Sequence, residues 1–565
     1  MALTRRALGG LTIGGTAAFT LAACGGNEGN GGSGATELTW AIPSAWESWN
    51  ENTQAGNNSY GHQAMYPMRY GLDGNTSGDW DENGEFHLND AVFADAKIVS
   101  DAPLKVEYTV QENAQWSDGN PIRVEDFIFQ WYSISGLEEH ADQTKALPAS
   151  TSYGPNIASI EASDAGFVVT FKDGYLDPEW LYSPTIYLPS HVAEAEGFAT
   201  WQTDPAVMGQ AIEWFEKNLS DVVCGPYKPV DFKMGEYIKY ELNDKWNGSV
   251  KPTVKKLTMT VVEGTEAVVT ELRQGTIAGA WPSEFSQEEF DKAAEDQALA
   301  QEIYEGGVWL HIDTNLNSEP LKDVALRQAI FTAINVADAI SRVYPDTEVS
   351  QRLNHFFGQK SEYFTDLLTP TKQGSGDTAA AAAILTEAGY TGAAEGQALT
   401  KDGAAVPNLV FRYGDGDATR TTIAELAQAQ LALIGITVEL QAIPDGELGT
   451  VLSEGQFDLV IFGWSGSPTF VAAPNQYFET GVNYGNYSFP EVDEAIAKIK
   501  STTDVAEAAQ FANDVEAIVV PLALTLPLFD EPQGILWNKN LIEGVKGNGN
   551  SQGGPIFNCA EWKSL

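Results

Sequence analysis

The sequence contains few cysteines, few histidines and few basic residues, which are abundant in particular classes of protein. Its 565 residues include three cysteines and six histidines, and 32 lysines and arginines stand against 78 aspartates and glutamates. The formal charge of −46 argues against a nucleic-acid-binding protein, because phosphates require a basic surface. It indicates a solvated acidic surface or a cationic ligand. With 43% hydrophobic residues, the chain can still bury enough core for two or three lobes.

Motifs that carry enzyme chemistry are also missing. The spacing of the six histidines fits no metal-binding pattern: they are His62, His87, His140, His191, His311 and His355. The stretch Gly463–Ser467 departs from the Gly-x-Ser-x-Gly motif, since Ser467 stands where glycine is needed. No phosphate loop of the Gly-x-x-x-x-Gly-Lys type is found. The sequence therefore offers no positive evidence for an enzyme, a cofactor or a metal site.

The N-terminal stretch predicts export and anchoring. Arg5 and Arg6 precede an apolar segment, residues 7–23, which is too short for a good membrane span. It ends in Leu-Ala-Ala followed by Cys24, which resembles the lipobox of bacterial lipoproteins. We expect a signal peptide over residues 1–23, lipid on Cys24, and a flexible Gly-rich tether over residues 24–36. The export route, general secretory or twin-arginine, stays open. We expect the rest of the chain outside the cell membrane.

Two cysteines remain once Cys24 carries lipid. Cys224 and Cys559 are an even pair in an oxidising compartment, where disulfides form and persist. A bond between them would tie the end of the chain to its middle. The alternative is two buried free thiols, and we favour the disulfide.

One stretch, residues 457–468, holds the strongest structural signal. Leu459–Phe462 is a continuous apolar run, which is typical of a strand buried on both faces. Trp464 follows at its carboxyl end, and Ser465–Pro468 breaks the strand into a loop. Ligands of open α/β sheets lie in the crevice outside such strand ends. Trp464 is therefore either an aromatic wall of a cleft or a core residue that covers the strand.

Neighbouring patterns predict an α/β lobe around this strand. A helix over residues 421–434, stopped by Gly435, lies between strands at Leu409–Arg412 and Ile436–Leu440, which makes a βαβ unit. A helical stretch near residues 450–452 leads to the strand at Leu459. Earlier in the chain, Asp79–Asp90 imitates a calcium loop, but its Asn83-Gly84 pair is also a strong hairpin turn signal. We favour the hairpin.

A succession of short motifs then suggests a family. The motifs are Trp116-Ser-Asp-Gly with the helix opening at Val124, Cys224-Gly-Pro-Tyr-Lys with Asn243 and Trp246, Leu272–Ile277, Asn315 with Pro320–Ala333, Ala380–Tyr390, Phe457–Trp464 and Asn483–Tyr487. Their types and order resemble the extracellular solute-binding proteins of family 5, the oligopeptide- and dipeptide-binding proteins of ABC importers. The resemblance covers about 500 residues of the chain.

The resemblance implies a fold and a domain arrangement. The fold class is α/β and periplasmic-binding-protein-like, with two hinged lobes and an inserted third domain. We expect a discontinuous lobe I over residues 37–65, 221–310 and 525–565. Lobe II, the insertion, would cover residues 66–220, and lobe III, residues 311–524, would close over the ligand.

The resemblance also implies a function. The chain would be a lipid-anchored monomer that binds a peptide, needs no cofactor and delivers the peptide to a permease and ATPase complex. The candidate ligand-binding residues are Ser44, Trp46, Trp49, Asn52, Tyr153, Trp464, Ser465, Ser467, Tyr484 and Tyr487.

The charged anchors of related peptide binders are missing. Ser467 stands where relatives that grip a peptide's amino-terminus carry Asp, and Ile461 stands where some carry Arg. Another carboxylate could take the role, with Glu47, Asp445 and Glu447 as candidates. Otherwise the ligand is an oligosaccharide or another neutral solute, since sugars stack on aromatic faces. A non-transport envelope protein on the same fold is the third alternative.

Overall fold

The strand predicted at Leu459 lies inside a ten-stranded sheet. The computed structural model describes residues 36–72, 76–145, 147–149, 153–183, 186, 188–282, 286–444, 447–465 and 468–565. The signal peptide, Cys24 and nearly all of the predicted tether lie outside the described residues.

The first half of the chain builds one edge of this sheet and a separate small sheet. Residues 36–220 form β1 (Glu37–Ile42), α1 (Ser59–Met65), β2 (Gly78–Trp80), β3 (Phe86–Leu88), β4 (Phe93–Asp101), β5 (Leu104–Val110), α2 (Val124–Ile134), β6 (Ile157–Ala162), β7 (Gly166–Phe171), α3 (Ser190–Ala193) and α4 (Pro205–Lys217). Residues 221–314 form β8 (Tyr227–Lys233), β9 (Tyr237–Leu242), β10 (Lys256–Val261), α5 (Thr265–Gln274), β11 (Gly279–Ala280), α6 (Gln287–Ala294) and β12 (Leu299–Thr314).

The second half supplies the other edge of the sheet. Residues 315–524 form α7 (Val324–Ala333), α8 (Val336–Val343), α9 (Thr378–Glu387), β13 (Tyr390–Thr391), β14 (Thr400–Lys401), β15 (Ala404–Ala405), β16 (Leu409–Gly414), α10 (Ala418–Ala432), β17 (Val438–Ile443), α11 (Leu448–Ser453), β18 (Leu459–Ser465), α12 (Ala473–Phe478), α13 (Pro490–Ile499) and α14 (Val505–Leu522). The chain ends with β19 (Thr525–Asn538), β20 (Ile542–Glu543) and β21 (Lys563–Ser564).

The large sheet has the strand order β17-β16-β18-β12-β19-β11-β1-β10-β9-β8. The antiparallel strands β12 and β19 lie in its middle and connect its two halves: β12 pairs with β18 on one side, and β19 pairs with β11 on the other. Their register shifts between Glu305 and Trp309. A Cβ on Gly306 would lie 2.5 Å from the Glu531 carbonyl oxygen, so this bulge requires glycine. Bulges bend strands locally, and this one lies where a hinge between lobes is expected.

The predicted βαβ unit is confirmed. Strands β16 and β17 are parallel neighbours, and α10 connects them. The helix begins before the predicted Thr421, because the Asp417 side chain caps it by accepting the Arg420 N–H at 2.8 Å. Gly435 follows with a φ of 77°, which favours glycine. Strand β18 is also confirmed, with Trp464 near its carboxyl end, but it runs to Ser465, which we expected to begin the loop.

Hydrophobic side chains form separate cores along the chain. The largest lies between the sheet and α7, α9 and α10, and it contains Leu310, Ile312, Leu459 and Ile461. A second packs α2 against the four-stranded sheet β4-β5-β7-β6. A third surrounds β1, α1 and β8–β10 and takes in residues 535–562. The boundaries of the three lobes remain a prediction.

The predicted disulfide is wrong. Cys224 and Cys559 are free, buried thiols in two different hydrophobic clusters. The Cys224 Sγ lies 3.8 Å from the Ile186 carbonyl oxygen. Burial raises the pKa of Cys224 to about 12, and it raises the pKa of Cys559 as well, so neither thiol is activated.

The Asp79–Asp90 stretch forms the favoured hairpin. Strands β2 and β3 are antiparallel, and the Asp81 side chain accepts the backbone N–H groups of Asn83 and Glu85 at 2.8 and 3.0 Å within the turn. No helix in the described part of the chain combines the length and apolar character needed to cross a membrane.

Candidate functional site

Strands β12 and β18 have one aliphatic face and one aromatic face. On the aromatic face, Trp309 is paired with Trp464 and His311 with Phe462. The ring centroids of His311 and Phe462 are 4.3 Å apart, and those of Trp309 and His311 are 4.7 Å apart. Because side chains alternate along a strand, the residues between them face the aliphatic core.

Trp464 lies in the middle of a group of stacked rings. Its ring lies 5.8 Å from that of Tyr484 at an interplanar angle of 8°, and 5.2 Å from that of Tyr477 at 29°. All three side chains are only partly buried. We call Trp464, Tyr477 and Tyr484 the aromatic stack. It lies at the carboxyl end of β18, next to the central strands, and offers apolar surface with polar ring atoms to a ligand.

A network of amide hydrogen bonds holds Tyr484 in place. Asn483 accepts the Tyr487 N–H at 2.8 Å and donates to the Tyr487 carbonyl at 2.9 Å. The Asn315 side chain accepts a bond of 3.0 Å from Asn486 and donates to the carbonyls of Gly455 and Phe457. The loop that carries Tyr484 is therefore fixed to the strand that carries Trp464.

A buried polar group lies behind the stack. The His311 Nδ1 is 2.9 Å from an Asp313 carboxylate oxygen, which also accepts the Thr525 hydroxyl at 2.8 Å. Among the described residues, the His311 Nε2 has no hydrogen-bond partner, whereas the Trp309 side chain faces Tyr477, with ring centroids 5.6 Å apart. Buried polar atoms are rarely left unpaired, so the His311 Nε2 can receive a hydrogen-bonding ligand or a water molecule.

A charged pair lies next to Trp309. The Arg352 guanidinium is 4.9 Å from the centre of the Trp309 ring and forms an ion pair with Asp530. Burial raises the pKa of the Asp530 carboxyl, Glu305 adds to this rise, and Arg352 opposes it. The arrangement contains stacked rings, hydrogen-bonding atoms and paired charges, which suit binding more than a chemical reaction.

The structure brings together some of the predicted ligand-binding residues. Trp464 and Tyr484 stack on each other, and Ser465 ends β18 next to them. Tyr487 belongs to the same loop, but its ring is buried and its hydroxyl lies 2.8 Å from the Leu524 carbonyl and 2.9 Å from that of Thr314. The position of Ser467 and the side chain of Ser465 lie outside the described residues.

The other predicted residues lie in different clusters. Trp46 and Trp49 are buried in the core around β1, with ring centroids 5.8 Å apart. Asn52 is buried nearby, while Ser44 is partly buried. Tyr153 packs on the core of the four-stranded sheet, 5.6 Å from Phe171. These placements favour structural roles for Trp46, Trp49 and Tyr153, and their roles in binding stay predictions.

The structure also shows where the residues lie that could pair with a charged end of a peptide ligand. Glu47 and Glu447 are exposed, and Asp445 lies outside the described residues. The Ile461 side chain faces the aliphatic core and is buried there. An arginine at position 461 would therefore point away from the aromatic stack, so this position cannot supply a ligand's countercharge here.

Sequence reasoning missed Trp309, His311, Arg352 and Tyr477. A signal existed for the first two, because Trp309, His311 and Asp313 alternate with Leu310 and Ile312, the period of a strand with two different faces. No local signal places Arg352 or Tyr477, since both reach the site through contacts between segments distant in sequence.

Comparison with known proteins gives the family. The profile of the bacterial extracellular solute-binding proteins, family 5, matches residues 91–486, well over half of the chain. The chain belongs to this family. Its members are substrate-binding proteins of ABC importers and not enzymes, and the chain shares their α/β periplasmic-binding-protein fold.

Similar proteins span most of the chain. The oligopeptide-binding protein OppA of Mycobacterium tuberculosis is 28% identical over 469 residues, covering 80% of this chain and 73% of OppA. An uncharacterized lipoprotein of Mycobacterium leprae is 24% identical over 569 residues, covering 93% and 92%. The solved structure of a periplasmic EDTA-binding protein, EppA, has a TM-score of 0.80 at 23% identity, covering 94% of this chain and 97% of EppA, and so shares the fold.

Proposed function

We propose that this solute-binding protein captures a peptide between its lobes and delivers it to the permease of an ABC importer. The observation that carries the proposal is the likeness to an oligopeptide-binding protein over 80% of the chain. The partly exposed aromatic stack supports it, because stacked rings at a strand's carboxyl end can bind side chains of varied chemistry.

The proposed mechanism is closure about the two central strands. Strands β12 and β19 pass between the halves of the large sheet, and their register shifts near Gly306. Bending there would bring lobe I and lobe III together over the ligand. Main-chain groups of the peptide would pair with protein groups, and water would fill the remaining space around its side chains.

The proposed location is the outer face of the cell membrane. The Leu-Ala-Ala-Cys sequence ending at Cys24 supports lipidation, and the similar lipoprotein of Mycobacterium leprae supports the same location. Globomycin treatment of the producing cells tests it, since blocked signal-peptide cleavage would raise the mass of the protein. An unchanged mass under globomycin would contradict it.

A binding screen tests the ligand class. We expect mixtures of tri-, penta- and nonapeptides to raise the melting temperature of the purified protein, and calorimetric titration to give a binding constant for single peptides. Oligosaccharides and metal chelates serve as competing panels, read by tryptophan fluorescence. Binding of carbohydrate without peptide would establish the neutral-solute alternative, to which the missing charged anchors point. No response to any panel would contradict a transport role.

A further inference from the structure

The predicted lobe II presents one carboxylate to the predicted lobe III. The Glu179 Oε1 accepts the backbone N–H groups of Phe470 and Val471, at 2.7 and 3.3 Å. These partners are almost 300 residues further along the chain. Two hydrogen bonds from adjacent backbone N–H groups to one side-chain oxygen fix the direction of approach as well as the distance.

The segment that carries Glu179 is rigidly attached within lobe II. The Tyr108 hydroxyl donates to the Trp180 carbonyl at 2.6 Å, and the Ser77 hydroxyl donates to the Leu181 carbonyl at 2.6 Å. The Tyr182 ring packs against Trp80 with centroids 5.1 Å apart. Glu179 is therefore held by its own lobe whether or not lobe III is in contact.

The partner segment leads directly to the aromatic stack. Phe470 and Val471 are buried in a cluster with Phe357, and they come shortly after β18 in the chain. Two residues after Val471, α12 begins and carries Tyr477, whose ring stacks on Trp464. A contact at residues 470–471 therefore sets the position of the segment between two members of the stack.

The charges around Glu179 make this contact sensitive to protonation. Withdrawal from water and the nearby Asp177 carboxylate raise the pKa of Glu179 to about 8, while its two backbone bonds and Lys500 oppose the rise. The phenols of Tyr175 and Tyr182 also lie near the carboxylate. If the contact opens, water returns and the pKa falls toward its ordinary value of 4.5. The contact then binds a proton as it forms, so it strengthens as pH falls from about 8 to about 4.5.

We propose that Glu179 is a clasp that holds lobe II against residues 470–471 when the cleft is closed. It is a positioning residue, since it touches the segment that carries the aromatic stack and not the ligand. The proposal rests on the proposed function, because closure of the cleft has a role only if the protein captures a ligand between its lobes. The contact itself does not depend on which ligand is bound.

Hydrogen exchange of two backbone amides tests the clasp without any ligand. In the Glu179→Ala variant we expect the Phe470 and Val471 amides to exchange about tenfold faster or more, because both lose their acceptor. Glu179→Gln keeps an acceptor oxygen and should stay within about twofold of the parent protein. Glu196→Ala, an exposed lobe II glutamate, is the matched control and should change nothing.

The pH dependence gives a second readout. After correction for intrinsic exchange, protection of the two amides should weaken between about pH 5 and about pH 8 in the parent protein. It should vary much less in Glu179→Gln, where the neighbouring Asp177, whose pKa burial also raises, still titrates. Small-angle scattering of the ligand-free chain should show a larger radius of gyration for Glu179→Ala. Parent-like protection or an unchanged radius in a folded Glu179→Ala protein would overturn the clasp. A failed peptide screen with these results intact would contradict the proposed function alone.

Discussion

The two faces of β12 and β18 share a backbone but differ in chemistry. On one face, Leu310, Ile312 and Ile461 pack into a closed aliphatic core. On the other face, the His311 Nε2 is buried without a hydrogen-bond partner among the described residues, and Trp464 is partly exposed. Aliphatic packing maximises stability, whereas unpaired polar atoms reduce it. We infer from this difference that one face stabilises the fold, and we propose that the other receives the ligand.

The largest effect is expected on the aliphatic face. Leu310→Ala should lower the free energy of unfolding by about 4 kcal/mol, because the residue is fully buried and the cavity cannot fill. Denaturant unfolding measures this, with Leu448→Ala at an exposed position as the control. Ligand affinity of the folded fraction should not change. A loss below about 1 kcal/mol would show that this face is not a tightly packed core.

The next largest effect is expected at the ion pair between Arg352 and Asp530, beside Trp309. Arg352→Met should cost roughly 3 kcal/mol of stability, because Asp530 then lies in its mostly buried position without its partner. The double variant Arg352→Met/Asp530→Leu should recover most of that loss, since both charges are gone. Thermal and denaturant unfolding of the three proteins measure the effect. If the double variant were as unstable as the single one, packing against Trp309 and not charge would be the cause.

A smaller effect, on affinity, is expected at the aromatic stack. Trp464→Ala should weaken binding of a peptide found in the screen by roughly 2 kcal/mol and lower stability much less. Trp562→Ala is the matched control, because Trp562 is a buried core tryptophan stacked on Trp40. It should lose about 3–5 kcal/mol of stability and keep its affinity. The cleft assignment fails if Trp464→Ala behaves like Trp562→Ala in both titration and unfolding.

The smallest effect concerns a buried pair near the site. The His355 Nδ1 lies 2.8 Å from a Glu516 carboxylate oxygen, and this interaction raises the pKa of His355 above its ordinary value of 6.5 against the opposing effect of burial. The stabilisation is complete below 6.5 and is lost as pH rises through the folded value. The melting temperature should fall by about 1–2 °C as the pair loses its proton. Glu516→Gln should remove this part of the pH dependence, and an unchanged slope would contradict the pairing.

Local patterns in the sequence predicted much of the fold. The apolar run at Leu459–Phe462 predicted β18, and the helix between two predicted strands indicated the parallel pair β16 and β17. The Asn83-Gly84 turn gave the β2–β3 hairpin. Each signal is contained within a few residues, where periodicity and turn chemistry decide the structure.

The candidate site was less predictable, for a physical reason. The sequence predicts Trp464 and Tyr484, but Trp309 reaches them only through the antiparallel pairing of distant strands, and Arg352 only through its contact with Trp309. The prediction of a disulfide was wrong because the number of cysteines does not show which hydrophobic core each one packs into. Trp46 and Trp49 illustrate the same difficulty. The local sequence around an aromatic residue in a loop does not show whether its ring lines a cleft or packs inside a core.

A crystal structure of the protein with a peptide from the binding screen would show whether the aromatic face of β12 and β18 receives the ligand. We expect the peptide to lie against the rings of Trp464, Tyr477 or Tyr484, with a polar peptide group within hydrogen-bond distance of the His311 Nε2. A peptide bound elsewhere, with the aromatic stack unchanged and free of contacts to it, would contradict the claim that this face of β12 and β18 receives the ligand.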